Sequence, residues 1–184
     1  MIRGVRLEPL SERHLEGVAG MLSDPDVLRF TLVPDPTPAD FRQRWLERYQ
    51  AGRRDGTREA FAAVDGDGRF LGLALAFEID REAREVELGY VVAPDARGRG
   101  VATAMLRALT EWAFAEAGAV RIRLVVDVVN EASLRVAERC GYVREGVMRS
   151  VHFKGGTRID AVLLSRLASD PDPDRRRDGS GARA

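Results

Sequence analysis

Residues 87–104, Glu87-Leu88-Gly89-Tyr90-Val91-Val92-Ala93-Pro94-Asp95-Ala96-Arg97-Gly98-Arg99-Gly100-Val101-Ala102-Thr103-Ala104, constrain this chain more than any other stretch. An apolar β-type run breaks at Pro94-Asp95, passes through an Arg/Gly turn, and continues as an alanine-rich helical pattern to about Gly118. The first N–H groups of a helix have no intrahelical partner, and glycine, lacking a Cβ, lets a ligand approach the backbone closely. Gly98 and Gly100, flanked by Arg97 and Arg99, therefore form a candidate anion site suited to phosphate or pyrophosphate. The alternative is an ordinary glycine-rich strand-to-helix turn. A P-loop would carry Lys-Ser or Lys-Thr where this chain has Val101-Ala102, and a dinucleotide fingerprint would need a third glycine that residues 98–103 do not supply.

Arg97-Gly98-Arg99-Gly100-Val101-Ala102 fits the form Gln/Arg-x-x-Gly-x-Gly/Ala. With the strand before it and the break at Pro94, the stretch resembles the acetyl-CoA-binding motif of the Gcn5-related N-acetyltransferase (GNAT) superfamily. That resemblance implies cofactor contacts at Arg97, Gly98, Arg99, Gly100, Val101, Ala102 and Thr103. It also implies a bulge in the preceding strand, where backbone groups of Val91, Val92 and Ala93 pair with the pantetheine arm and polarise the thioester carbonyl. No metal is implied.

A second motif, residues 130–142, reads as a short helix with an Asn130 cap and a Gly141 stop. In much of the superfamily a tyrosine general acid stands where this chain has Ala137. Here Ser133 follows Asn130 by three residues, and the line Asn-x-x-Ser-x-x-Val-Ala-x-x-x-Gly-Tyr resembles the RimJ/RimL-like branch, which acetylates the N-terminal amine of ribosomal proteins. Arg144-Glu145-Gly146-Val147-Met148-Arg149, with Gly156 and Asp160, is similar to the same branch. The resemblance adds a pantetheine contact at Asn130, which as a helix cap is also explained structurally. Cys140 and Tyr142 are expected to pack in the interior.

Acetyl transfer from a thioester to an amine requires a neutral amine, stabilisation of charge on the carbonyl oxygen, and a thiolate able to leave. An α-amine has a reference pKa of about 8, against about 10.4 for lysine, so a weak base suffices for an N-terminal acceptor. A thiol near 8.5 leaves with help from a single hydroxyl. Ser133 fits that task; otherwise it is a solvent-facing serine of a first helical turn. For the base the candidate is Glu87, because period-two alternation places Glu87, Gly89 and Val91 on one face and Val86, Leu88, Tyr90 and Val92 on the other. Its alternative is a solvated strand glutamate, with Glu85 and Glu78 near enough to compete. The expected activity is acetyl-CoA-dependent N-acetylation of a primary amine, foremost a protein N-terminus. A small-molecule amine (amino acid, polyamine or aminoglycoside) is the alternative acceptor, and a non-catalytic acyl-CoA-binding module is the alternative class. Acceptor choice is expected to lie with residues 27–38 and 151–156.

The surrounding pattern predicts one α/β domain over residues 1–168 and a disordered, charge-rich tail over 169–184. The sheet is expected to be mixed, with about seven strands and helices on both faces. Its early strands form an antiparallel meander, and residues 86–92 run parallel to 121–128, splayed apart at one end to open a cleft. Thr37 is expected to cap the long helix that follows the proline-rich 33–38 segment, and His14 to be structural. The 184 residues carry 29 basic and 29 acidic side chains, which gives no electrostatic reason to expect nucleic acid or an anionic membrane as partner. One cysteine and no apolar leader point to a reducing, cytoplasmic setting, as a monomer or homodimer.

Overall fold

The computed structural model describes residues 4–173. A short first strand, β1 (Arg6–Pro9), is followed by a 3-10 turn at Glu12–His14 and helix α1 (Leu15–Met21). Asp24 then caps α2 (Pro25–Phe30), accepting the Val27 N–H at 3.0 Å, with Pro25 in the first turn where its missing N–H costs nothing. Helix α3 (Phe41–Asp55) begins after Asp40 and stops at Gly56, whose φ of 69° is the left-handed cap glycine readily adopts. Thr37 is not its cap. The Thr37 hydroxyl donates to the Pro34 carbonyl at 2.8 Å and closes the proline-rich loop on itself.

Strands β2 (Glu59–Val64), β3 (Phe70–Asp80) and β4 (Glu85–Val92) form the expected antiparallel meander. Ala60, Phe61, Ala62, Ala63 and Val64 are all buried. Successive strand residues point to opposite faces, so an unbroken buried run means that both faces of the sheet are covered. Helix α4 (Val101–Ala115) packs on β4 and β3, and α1 and α3 pack on β3 and β2. Val101, Met105, Leu106, Leu109 and Ala113 of α4 are at most 1% exposed. Each large apolar side chain buried in this way contributes roughly 1.5–3 kcal/mol, which anchors the helix whose first turn follows the glycine loop.

Beyond α4, strand β5 (Arg121–Asp127), helix α5 (Glu131–Arg139) and the long hairpin β6 (Val143–Lys154) and β7 (Thr157–Leu167) complete a seven-stranded sheet of order β1-β2-β3-β4-β5-β7-β6. β4 and β5 are parallel but pair only at Glu85↔Arg121, Val86↔Ile122 and Glu87↔Arg123. Past that point β4 stays with β3 as far as Val92, while β5 stays with β7 through Asp127. The two central strands therefore diverge, and the β5-facing edge of residues 88–92 has no strand beside it.

The bulge expected in β4 is absent. Its register against β3 runs unbroken from Gly72↔Val92 to Phe77↔Glu87, and the irregularity falls instead in β3 at Glu78, where φ is 45°. Continuous pairing with β3 keeps β4 regular, so it is the separation from β5 that uncovers its backbone. The tail expectation also needs correction at its start. The Leu167 N–H donates to Asp170 at 2.8 Å, and Pro173 lies against Gly141, so residues 169–173 are placed on the domain. Residues 174–184 lie outside the described residues.

Candidate active site

The divergence of β4 and β5 opens a cleft of about 600 Å³, floored by α4 and α5 and walled by α2 on one side and the β6–β7 hairpin on another. At one end Gly98 and Gly100 hold φ of 74° and 82°, the left-handed region in which a side chain is strained. A Cβ built on either would meet nothing within 4 Å, so both glycines border open space. Gly100 caps α4 through backbone alone, with no side chain accepting from the first turn. That leaves the N–H groups of Val101, Ala102 and Thr103, with the positive end of a 15-residue helix, facing the cleft.

The arginines of the loop behave differently from its glycines. Arg97 borders the cleft, but its guanidinium is bound by Asp24 at 2.6 Å and Asp26 at 3.2 Å, which fastens the loop to α2 and holds the Asp24 carboxyl below the usual carboxylate range. Arg99 turns away and donates to the Asp95 carbonyl at 2.6 Å. Ala93 does not reach the cleft either. It is buried, and its N–H is spent on the Leu71 carbonyl at 2.9 Å. Val91 and Val92 do line it, on the uncovered edge of β4. A further cation, Arg139 of α5, borders the cleft and was not singled out by its sequence context.

At mid-cleft Asn130 caps α5, its Oδ1 accepting the Ser133 N–H at 3.1 Å. The Ser133 hydroxyl lies 2.8 Å from the Tyr90 hydroxyl. Burial pushes the Tyr90 phenol up to about 12, against a smaller opposing effect of the Ser133 hydrogen bond, so it keeps its proton at neutral pH. Alternation in the sequence puts Tyr90 on the same face as Val86 and Leu88, opposite Glu87. It is on that face, but β5 has already departed at this level, and the same face that is core at Leu88 has become cleft wall at Tyr90.

Glu87 stands where the strands part. Burial raises its pKa, and Arg123, whose Nε donates to it at 3.0 Å, opposes the rise. The same guanidinium also holds Glu85 at 3.0 Å and Glu78. The three glutamates that compete on sequence grounds thus share one counter-ion, and of the three only Glu87 borders the cleft. On the far wall the hairpin supplies His152 and Lys154, and the Lys154 ammonium donates to the Thr31 carbonyl just after α2. The two segments expected to choose the acceptor are therefore tied together across the mouth.

The acetyltransferase (GNAT) domain model matches residues 5–143. The chain belongs to the GNAT acetyltransferases. YdaF of Bacillus subtilis (strain 168), provisionally named a ribosomal N-acetyltransferase, is 31% identical over 145 residues, covering 79% of this chain and 72% of that protein. RimL, a ribosomal-protein α-N-acetyltransferase solved with coenzyme A, superposes with a TM-score of 0.81 at 18% identity, covering 90% of this chain and 94% of that one. The Vibrio cholerae spermidine N-acetyltransferase solved with CoA and spermine gives 0.79 at 22% identity, covering 90% and 96%. At those identities the two structures establish the fold alone.

This GNAT chain is an N-acetyltransferase that uses acetyl-CoA. The open space beside Gly98 and Gly100 and the uncapped α4 terminus fit a pyrophosphate, and the bare edge of β4 fits the amides of a pantetheine arm. Among the described residues no group of three or more His, Cys, Asp or Glu could hold a metal ion. No described helix is long and apolar enough to cross a membrane.

Proposed function

We propose that the acceptor is the α-amine of a protein N-terminus. The observation that carries this reading is the charge on the acceptor side of the cleft. Asp26 is already paired with Arg97 and Glu87 with Arg123, Asp127 accepts the Val129 N–H of its own turn, and Arg29 and Lys154 add positive potential. A polyamine finds little uncompensated negative charge there, whereas a peptide terminus brings one amine that is already partly neutral near its pKa of about 8. The likeness to YdaF supports the same choice. Arg29 and Lys154 would equally suit the carboxylate of a free amino acid, and relatives named for L-amino acids and phosphinothricin favour that second reading.

In the proposed reaction the thioester lies along β4 with its carbonyl directed at the Val92 N–H, because N–H groups alternate along an unbulged strand and that of Ala93 is spent on Leu71. Donors fixed before the reaction stabilise charge as it develops, without reorganisation. The amine enters between α2 and the hairpin, and Glu87 takes its ammonium proton through a water. The neutral nitrogen attacks the carbonyl carbon, the C–S bond breaks with its electron pair on sulfur while the Ser133 hydroxyl hydrogen-bonds the departing thiolate, and the nitrogen, now carrying the positive charge, gives its second proton to water and leaves as the amide. Holding amine and thioester together supplies most of the acceleration, worth roughly 7–11 kcal/mol in well-oriented systems.

A screen of N-terminal peptides, free amino acids and polyamines against acetyl-CoA, read by thiol release, tests the acceptor. Peptides should give the highest kcat/KM. Preference for spermidine would overturn the proposal, and preference for a free amino acid would establish the second reading.

A further inference from the structure

We propose that Tyr90 is a positioning residue that acts through Ser133, the two hydroxyls forming a relay aimed at the cofactor sulfur. The inference rests on the proposed role of Ser133 and goes beyond it by assigning a task to a residue that no motif marks.

A serine hydroxyl has one proton, and in the first turn of α5 that proton has competing acceptors. The Ser133 N–H is occupied by Asn130 Oδ1 at 3.1 Å, which fixes the turn, and the Ser133 Oγ sits 2.8 Å from the Tyr90 oxygen. Either hydroxyl could donate in the resting pair. Tyr90 has one other acceptor in reach, the Ser133 carbonyl at 3.4 Å, a long and poorer contact. With an electron-rich sulfur in the cleft the arrangement with lower energy is Tyr90 donating to Ser133 and Ser133 donating onward, because each hydroxyl then both gives and receives.

The chemistry explains why a relay is needed here. Much of the superfamily places a tyrosine on α5, where this chain has Ala137, fully buried in the core. A serine alone is a weaker donor than a phenol. A phenol donating to that serine polarises its O–H bond and restores part of the lost donor strength, while the phenol itself remains on β4. No proton needs to travel the chain. The C–S bond breaks, its electron pair stays on sulfur, both hydroxyls keep their protons, and the thiolate is protonated by water after release. The phenol, held un-ionised by burial, is suited to giving a hydrogen bond and not to giving up its proton. Tyr90 faces no charged side chain in hydrogen-bond contact. Among the described residues its electrostatic neighbours besides Ser133 are Cys140 and Tyr142, both buried.

The test uses free CoA bound to the full chain, so that it does not depend on the acceptor. The bound thiol is titrated by its far-ultraviolet thiolate absorbance, as the difference between complex and free protein, which cancels Cys140. A relay that stabilises thiolate should lower the bound thiol below its ordinary value of about 8.5. Tyr90→Phe should move that titration back upward, Ser133→Ala should move it further, and the double variant should match Ser133→Ala alone because the phenol has nothing left to act through. Acetyl-CoA affinity by calorimetry should stay within about twofold, and with any amine that serves as acceptor kcat should fall in the same order. An unchanged bound-thiol titration in Tyr90→Phe overturns the relay, as does a double variant in which the two shifts simply add. A Ser133→Ala variant with no shift overturns the proposed role of Ser133 itself, and loss of CoA affinity in Tyr90→Phe alone would make the tyrosine a packing residue.

Discussion

The two ends of the cleft are built by different means. The end proposed for the pyrophosphate is made of backbone: two glycines in the left-handed region and the first turn of α4, all within a few residues of one another. The acceptor end is made of side chains from segments far apart in the chain, as when Lys154 reaches the Thr31 carbonyl across 123 residues. A backbone site depends on local conformation and so tolerates change in almost every neighbour except the glycines. A side-chain site depends on tertiary placement, and its chemistry can be altered by single substitutions that leave the fold alone. Variation of acceptor on a constant cofactor site follows from that division, and relatives of this chain are named for ribosomal, spermidine, amino-acid and phosphinothricin acetylation.

If the division is real, substitutions at the two ends should separate cofactor binding from acceptor choice. The largest effect is expected for Gly100→Val, which places a branched side chain where the pyrophosphate would lie. Loss of two hydrogen bonds to a charged group, at about 1.5–3 kcal/mol each, corresponds to a hundredfold or greater fall in acetyl-CoA affinity by calorimetry. Because φ is 82° there, Gly100→Ala carries much of the same backbone strain with a smaller intrusion, and should lose stability but retain more of the affinity.

Glu87→Gln comes next, with an effect that depends on pH. The base must be ionised to act, and burial raises the Glu87 pKa, so the wild-type rate should fall with pH from above the ordinary carboxylate range. The variant should lose roughly tenfold or more at low pH and recover as the acceptor amine deprotonates unaided. An equal proportional loss at every pH would reduce Glu87 to a partner for Arg123.

Lys154→Met should raise the acceptor KM by a few fold, in keeping with one hydrogen bond at about 0.5–1.5 kcal/mol, and leave the affinity for acetyl-CoA unchanged. A parallel loss of both would mean that the two ends are not separable.

The smallest effect concerns neither end. Arg121 and the Ser165 hydroxyl hold the Glu145 carboxyl down to about 2 from a reference of 4.5. A depressed carboxyl contributes stability that is present above its unfolded pKa and lost as pH falls through the folded one. Glu145→Gln should therefore lower Tm by a few degrees at pH 7, with the gap to wild type closing between pH 4.5 and 2. The carboxylate is partly exposed, and solvent screening keeps the effect modest.

The same division governs what could be read from the sequence. The β4-loop-α4 unit was legible because a strand period, a proline break and two glycines are local signals, and the Asn130 cap was legible for the same reason. The parallel direction of β4 and β5 followed from the crossover rule, which says nothing of their divergence. The ion pairs of Arg97 were not legible, because its partners, Asp24 and Asp26, lie more than 70 residues away and carry only a capping signal. The place of Tyr90 in the cleft wall was not legible, because alternation identifies a face and cannot show where that face ceases to be covered. His152 carries no local pattern at all, and only the segment around it was marked. The bulge implied by family likeness failed for a related reason, since strand divergence and a bulge both uncover backbone and leave the same trace in sequence.

Amide hydrogen exchange with and without acetyl-CoA tests the central claim most directly, because it reads both ends at once in the unaltered chain. Saturating acetyl-CoA should slow exchange in residues 88–92, along the free edge of β4, and in residues 98–104, while residues 151–156 of the hairpin change little. Protection confined to the hairpin, or none at the β4 edge and the start of α4, would contradict it.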